Sequence, residues 1–554
     1  MEDFLTPYGV CPNERQMTHY KIEKKAFFHF GVNTFTDQEW GNGTEVESAF
    51  NPVGCDCEQW IKAVKNAGFK LAIITAKHHD GFCLWPSRYT THSVKNSPYK
   101  NGNGDIIKEF TDACRKYGIR VGIYISPWDR NVDFWGEYEY NYFFNNQLTE
   151  LLTNYGEIDE VWWDGAGSAE TPYNWEMWAA TVRTLQPNAV MFGSRGATPY
   201  VEMRWVGNEQ GFAGKPCFGT VSTKCLEIEG EELFNGTPDG DKFAIAEVDV
   251  SIRPGWFYHE NQNTQIKSAQ EIVNIWFNSV GSNCNMLLNV PPDKTGHITK
   301  EEIENITLAN NYIETALSQN FLQNAEIKCT SKSFEKYDVE NIILDNDCFF
   351  ASTEYTFTID FNLPFKTNIN MFKIEEVIEL GHRVRGFNVQ IFANGEYVTV
   401  FDGKCIGYKW AECFDTYNTD KIRLIIYDAK ATPLIRNFGV YYIDENAIKY
   451  AKTELSDTDL SKLTNSKITY SDNSVEIEFG GIYPFNYVYF TSNVNNYDIE
   501  AFDGSVYKKI FSNASKCSIL LKETVTGSYK MRIVTKEKID TDSVDIKIIN
   551  KIDG

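Results

Sequence analysis

The first 300 residues alternate between two kinds of stretch. AFFHFGVNTF (26–35), KLAIITA (70–76), RVGIYIS (120–126), EVWWDG (160–165), AVMFGS (189–194) and FAIAEVDVSI (243–252) are short, apolar and rich in β-branched or aromatic residues. Such runs read as strands buried on both faces. Between them, EQWIKAVKNAG, DIIKEFTDACRKYG, YNYFFNNQLTELLTNYG and NWEMWAATVRTLQP repeat apolar residues at helical spacing, and most close on glycine. Regular alternation of this kind predicts a parallel α/β fold. No Gly-rich phosphate loop follows any strand, which favours a (β/α)8-type barrel over an open doubly wound sheet. NMLLNV (285–290), followed by the stop signal PPDKTG, is the expected last strand.

Beyond residue 300 the period changes. An acidic helical stretch, TKEEIENITLANNYIETAL, leads into sequence that alternates apolar and polar residues between turn signals, as in FNVQIFANGEYVTVFDG and NYVYFTSNVNNYDIEAFDG. The expected organisation is a catalytic barrel over 1–325, a β-sandwich over 326–446 and a second β-rich, sandwich-like domain over 447–554.

A parallel barrel gathers the residues just beyond its strands at one mouth. Collecting strand ends gives His29; Glu39 and Trp40; Lys77, His78, His79 and Asp80; Tyr124, Trp128 and Asp129; Asp164; Glu209; and Arg253 with Trp256. Asp164 closes a strand that carries two tryptophans, where an unpaired carboxylate is expensive for structure alone. It is either a cap or partner of a buried cation, or a nucleophile or base in glycoside chemistry, which needs a second carboxylate. Glu209, in the loop RWVGNEQG, and Glu247, inside an apolar strand, are the two candidates. His78 and His79 are adjacent, so on a regular strand they face opposite ways unless a bulge turns both inward. A metal site built from His29, His78, His79 and Asp80 is the rival reading, unsupported by any HExxH or paired Cys/His spacing. Cys83 lacks a marked activating environment, and no G-x-S-x-G elbow occurs.

Composition trims the remaining options. The chain has 554 residues, with 53 basic against 76 acidic side chains and a net charge of −23, a surface that repels nucleic acid and anionic lipid. Aromatic residues reach 14%, enough both to fill a large core and to stack on sugars. The 13 cysteines lack zinc-type spacing and read as mostly free thiols. No apolar run is long enough to span a membrane, and MEDFLTPYGVCPNERQ lacks the basic and apolar regions of a signal peptide. The expectation is a cytoplasmic protein, or a secreted or periplasmic one whose leader has been removed.

The stretches FFHFGVNTFTDQEWGNG, AGFKLAIITAKHHDGFCLWPS, GIYISPWDRN, VWWDGAG, RWVGNEQG, SIRPGWFYH and MLLNVPPDKTG together resemble, in order, the α-L-fucosidases of glycoside hydrolase family 29. NTFTDQEWGNG, GNEQG and SIRPGWFYH are similar to the subgroup selective for α-1,3 and α-1,4 fucosyl linkages, as in Lewis-type glycans, more than to the broad-specificity subgroup. The resemblance implies a retaining mechanism without metal or organic cofactor, in which Asp164 matches the nucleophile and Glu209 the acid/base. It implies that His29, His78 and His79 bind fucose hydroxyls, with Glu39, Trp40, Tyr124, Trp128, Arg253, Trp256 and Trp276 as further pocket candidates. Trp256 is also a candidate for the leaving-group side. The implied partner is a fucosylated oligosaccharide or glycoconjugate. The segment around LGHRVRGFNVQIFANGEYVTVFDGKCIGYK resembles a discoidin-type sandwich, a fold that includes carbohydrate-binding modules. A fucose-binding lectin descended from such an enzyme is the alternative, and the presence of both carboxylates speaks against it.

Overall fold

The computed structural model describes residues 3–167, 171–224, 231–344, 346–448, 461, 466–479, 485–494, 496–502, 507–514, 518–525 and 530–549. Eight parallel strands close into a barrel in sequence order: β1 (Lys24–Phe28), β2 (Leu71–Lys77), β3 (Arg120–Ile125), β4 (Glu160–Trp163), β5 (Val190–Gly193), β6 (Met203–Trp205), β7 (Ile245–Ser251) and β8 (Asn285–Asn289). β8 pairs back onto β1, with Lys24 opposite Met286 and Phe27 opposite Asn289. Almost every strand residue is buried, as the unbroken apolar runs predict. The stretch 26–35 is a strand only as far as Phe28. A one-turn helix, Val32–Thr36, follows Gly31, so the chain bends over the mouth as soon as it leaves the barrel.

Six helices of ten residues or more flank the barrel among the described residues: α1 (Cys57–Asn66), α2 (Ile106–Tyr117), α3 (Tyr138–Asn154), α4 (Trp175–Leu185), α5 (Ala269–Asn278) and α6 (Lys300–Leu317). Their ends are written in side chains. Asp56 and Asp105 accept the backbone N–H of Gln59 and Lys108, and Gly118 ends α2 in the left-handed conformation. Ser268 with Glu271 and Thr299 with Glu302 form capping boxes. On α1, Cys57, Trp60, Ile61 and Val64 make the buried face.

The helix ring is incomplete. Among the described residues, a three-residue 3-10 turn follows β5, and the helix between β6 and β7 is the five-residue Glu231–Asn235. Part of that gap is covered by the antiparallel sheet that follows α6. This sheet has seven strands, and its two twenty-residue strands, Phe357–Glu376 and Trp410–Ala429, pair across register shifts. The sheet carries its own core of Phe, Ile, Leu and Val side chains. From it, His382 Nε2 accepts the Gly219 backbone N–H at 2.8 Å, Arg385 donates to the Pro238 carbonyl at 3.0 Å, and the Ala411 N–H donates to Gly281 O at 2.8 Å. The described residues from 466 to 549 form a third unit of one five-stranded and one three-stranded antiparallel sheet around a separate core. Its Phe502 ring meets Phe234 of the short helix at 6.4 Å. The cysteines among the described residues are free, and no described helix is long and apolar enough to cross a membrane.

Candidate active site

A cavity of about 360 Å3 opens at the carboxyl ends of the strands, lined by His29, Glu39, Trp40, His78, His79, Tyr124, Asp164, Glu209 and Trp256 from the expected set. Its floor is aromatic: Phe27, Trp162 and Phe192 project from β1, β4 and β5, and Trp162 stacks on Phe192 at 4.1 Å and on Tyr124 at 5.3 Å. Trp40 is half exposed at the rim, edge-on to Trp128 at 5.4 Å and to His79 at 5.8 Å. A flat apolar floor with polar groups at its edge is the arrangement that binds a sugar ring.

Asp164 sits one residue past the end of β4. Its Oδ2 accepts a hydrogen bond from the Tyr124 hydroxyl at 2.8 Å, and its Oδ1 accepts from the Ala166 N–H at 2.7 Å, so the carboxylate cannot swing. Burial, and then the Asp164 charge, push the Tyr124 hydroxyl well above its usual range, which keeps it a donor.

The two adjacent histidines both line the cavity. Strand β2 ends at Lys77 with a register shift beside it, and His78 begins the turn closed by the Gly81 N–H, so strand alternation no longer governs them. Hydrogen bonding sets their tautomers. Ser126 Oγ gives its proton to Trp128 O, so it accepts from His79 Nδ1 at 2.7 Å, which leaves His79 Nε2 a lone pair 3.7 Å from Asp164 Oδ2. Asn289 uses its amide nitrogen on Ser251 and Trp256 O, so its oxygen accepts from His29 Nδ1 at 2.9 Å and His29 Nε2 is likewise an acceptor. His78 Nδ1 is buried without a partner among the described residues, with its ring stacked over Tyr124. Burial drives all three imidazoles below their usual range, His29 to about 3, so they are neutral and can accept from sugar hydroxyls.

Glu209 stands in the loop after β6. Its side chain is exposed to the cavity, where the surrounding walls thin the water around the carboxyl; that desolvation first, and the Asp164 charge second, raise its pKa to about 7. The Trp256 indole N–H donates to its Oε2 at 3.2 Å. Glu39 fixes the loop that presents Trp256, accepting its backbone N–H at 2.9 Å and meeting His259 Nε2 at 2.6 Å.

Other expected residues lie elsewhere. Trp276 does not line this cavity: it is fully buried on α5, bordering a small interior space together with Ala67, Met286, Ile306 and Ile313. Its side chain follows the helix face that meets the barrel wall. Arg253 is buried behind the loop, donating from Nε to Glu302 at 2.6 Å and from Nη1 to Asn263 at 2.9 Å, with Tyr258 beneath its guanidinium. Lys77 turns outward to Asp129 and Gln147. Asp80 is bound by Asn33 and the Phe82 N–H, so the set His29, His78, His79 and Asp80 does not converge as metal ligands. The carboxylate beside the histidine pair is instead Asp164, with ligand atoms within 4.8 Å of theirs, and both its oxygens are already bonded. Glu247 is buried with Lys25 and accepts from Trp162 Nε1 at 3.0 Å.

The sequence reading missed Asp249, which lines the cavity, accepts from Trp205 Nε1 at 2.8 Å and is pushed well above the usual carboxylate range by burial and then the Glu209 charge. The signal was present: Glu247, Asp249 and Ser251 alternate along β7, and period two puts them on one face.

Residues 7–316 match the family model described as Alpha-L-fucosidase. The chain is 37% identical over 451 residues to Alpha-L-fucosidase 1 of Arabidopsis thaliana, covering 78% of this chain and 88% of that protein. It belongs to the α-L-fucosidase family, glycoside hydrolase family 29. Among solved structures, a glycoside hydrolase 29 family member from an unknown rumen bacterium aligns with a TM-score of 0.74 at 30% identity, over 98% of this chain and 100% of that one. The Ruminococcus gnavus GH29 fucosidase E1_10125 in complex with fucose aligns with a TM-score of 0.74 at 32% identity, over 80% of this chain and 97% of that one. The chain is accordingly an α-L-fucosidase, a glycoside hydrolase.

Proposed function

We propose that this fucosidase hydrolyses terminal α-1,3- and α-1,4-linked L-fucose on branched, Lewis-type oligosaccharides with retention of configuration. Asp164 acts as nucleophile and Glu209 as acid/base; His29, His78 and His79 accept from fucose hydroxyls, and Trp40 with Trp128 closes one side of the ring. The observation that supports this reading is the pair of carboxyl groups lining one cavity in unlike surroundings: Asp164 held by two donors, Glu209 raised to about 7.

In the first step an Asp164 oxygen attacks the anomeric carbon, the bond to the leaving oxygen breaks, and the Glu209 proton passes to that oxygen. The product is a covalent fucosyl-enzyme and a free saccharide. Esterified Asp164 no longer carries charge, so the larger of the two charges that raise the Glu209 pKa, Asp164 ahead of Glu39, disappears. Glu209 is then suited to the second step, in which it takes a proton from water as the water oxygen attacks the same carbon and releases Asp164.

The test is fucose release from Lewis a and Lewis x trisaccharides and from 2′-fucosyllactose by wild type, Asp164→Asn and Glu209→Gln. The expected result is release from the Lewis sugars only, with kcat/KM lowered by roughly 10²–10⁴ in Glu209→Gln and by at least as much in Asp164→Asn. The first product seen by proton NMR is expected to be the α-anomer. Release of β-fucose first, or full activity in Glu209→Gln, refutes the mechanism; equal cleavage of 2′-fucosyllactose refutes the linkage assignment alone.

A further inference from the structure

A second cavity, of about 490 Å3, adjoins the fucose pocket, and the two share Trp205, Glu209, Pro254 and Trp256. A general acid must touch the glycosidic oxygen, the atom between fucose and the group it leaves. Glu209 lines both cavities, so with fucose in the first, the leaving saccharide extends into the second.

The far wall of that second cavity does not come from the barrel. It is supplied by Ser466, Lys467 and Glu478 of the third unit. Lys467 opens the strand Lys467–Ser471 and pairs in register with Glu478 on the strand Ser474–Glu478. Lys467 is exposed on this strand, and no salt bridge joins it to another described residue. It is near enough that its charge opposes the rise in the Glu209 pKa. The cavity thus sets two indoles, Trp205 and Trp256, opposite an exposed three-donor ammonium group, a combination suited to stacking one sugar face while bonding ring oxygens.

We propose that the third unit builds the leaving-group side of the active site, with Lys467 donating to acceptor oxygens of the saccharide beyond the scissile bond. This rests on the hydrolase reading above and names the residue through which a domain remote in sequence sets substrate preference. The Ruminococcus gnavus fucosidase aligns over 97% of its own length with only 80% of this chain, so the family's catalytic fold stands without about a fifth of the sequence present here.

The experiment uses the full chain and its Lys467→Met and Lys467→Arg variants, on two substrates at one pH. The first is a nitrophenyl α-L-fucoside, whose good leaving group needs neither the second cavity nor proton donation. The other is whichever of Lewis x trisaccharide or 2′-fucosyllactose the wild type cleaves faster. The expected result is a fall of roughly tenfold in kcat/KM on the oligosaccharide for Lys467→Met, carried by one lost charge-assisted hydrogen bond. The nitrophenyl fucoside should stay within about twofold, and Lys467→Arg should recover most of the loss. Parallel losses on both substrates, or no loss on either, overturn the assignment. Wild-type inactivity on both substrates sinks the hydrolase reading and this inference with it.

Discussion

At the scale of single residues, the cavity separates groups that titrate near neutrality from groups that do not. Glu209 has its pKa raised into the working range, to about 7. As a general acid it must be protonated in the free enzyme. On its alkaline side, kcat/KM on an oligosaccharide should therefore begin to fall near pH 7 and drop about tenfold per pH unit well above it. In Asp164→Asn the second cause of the raised value is gone, and the Glu209 titration followed by carbon-13 NMR should move to lower pH. An unmoved titration would mean the two carboxyls do not sense one another. Which residues were legible in sequence follows the same local logic. His29, His78, His79 and Asp164 stand at the ends of apolar runs, where the barrel rule points, whereas Glu209 was found only as a carboxylate in a Gly-rich loop. Trp276 was misplaced because a tryptophan on an amphipathic helix carries no sign of which neighbour it meets, and its face turned out to be the one against the barrel wall.

At the scale of elements, seven barrel strands announce themselves as apolar runs and the eighth does not. β6 is three residues long, and its middle residue is Arg204, buried and donating to the carbonyls of Phe218 and Leu233 at 2.9 and 3.1 Å. A strand so short, with a guanidinium at its centre, has no period to detect. The same interior holds a second charged device. Lys25 of β1 donates to Glu160 of β4 at 2.7 Å and also binds Glu247 of β7, with all three side chains fully buried. Burial, and then the Glu247 charge, raise Glu160 to about 8. Removing the cation leaves two carboxyls buried against each other. Lys25→Met should lose roughly 3–5 kcal/mol of stability in urea unfolding, while its KM for any fucoside it still cleaves stays near wild type. A variant as stable as wild type would show that the network does not hold the strands together.

At the scale of the whole molecule, the chain reads as a barrel followed by two β-rich units, and the change from helical to alternating period near residue 320 was plain. What the sequence could not reveal is how they lean on one another, since contacts such as His382 to Gly219 link residues far apart in the chain. The helix ring is thin between β5 and β7, and the seven-stranded sheet stands over part of that gap. A fragment ending at residue 325 should therefore be insoluble or molten by near-ultraviolet circular dichroism, whereas one ending at residue 446 should fold cooperatively and cleave a nitrophenyl fucoside. Cooperative folding of the shorter fragment would show that the barrel seals itself. The incomplete ring also bears on recombination. A module can be exchanged freely only when its boundary in the chain is also a boundary in free energy, and here the contacts of His382, Arg385 and Ala411 reach back across the end of α6. Barrel and seven-stranded sheet should then travel together as one heritable block.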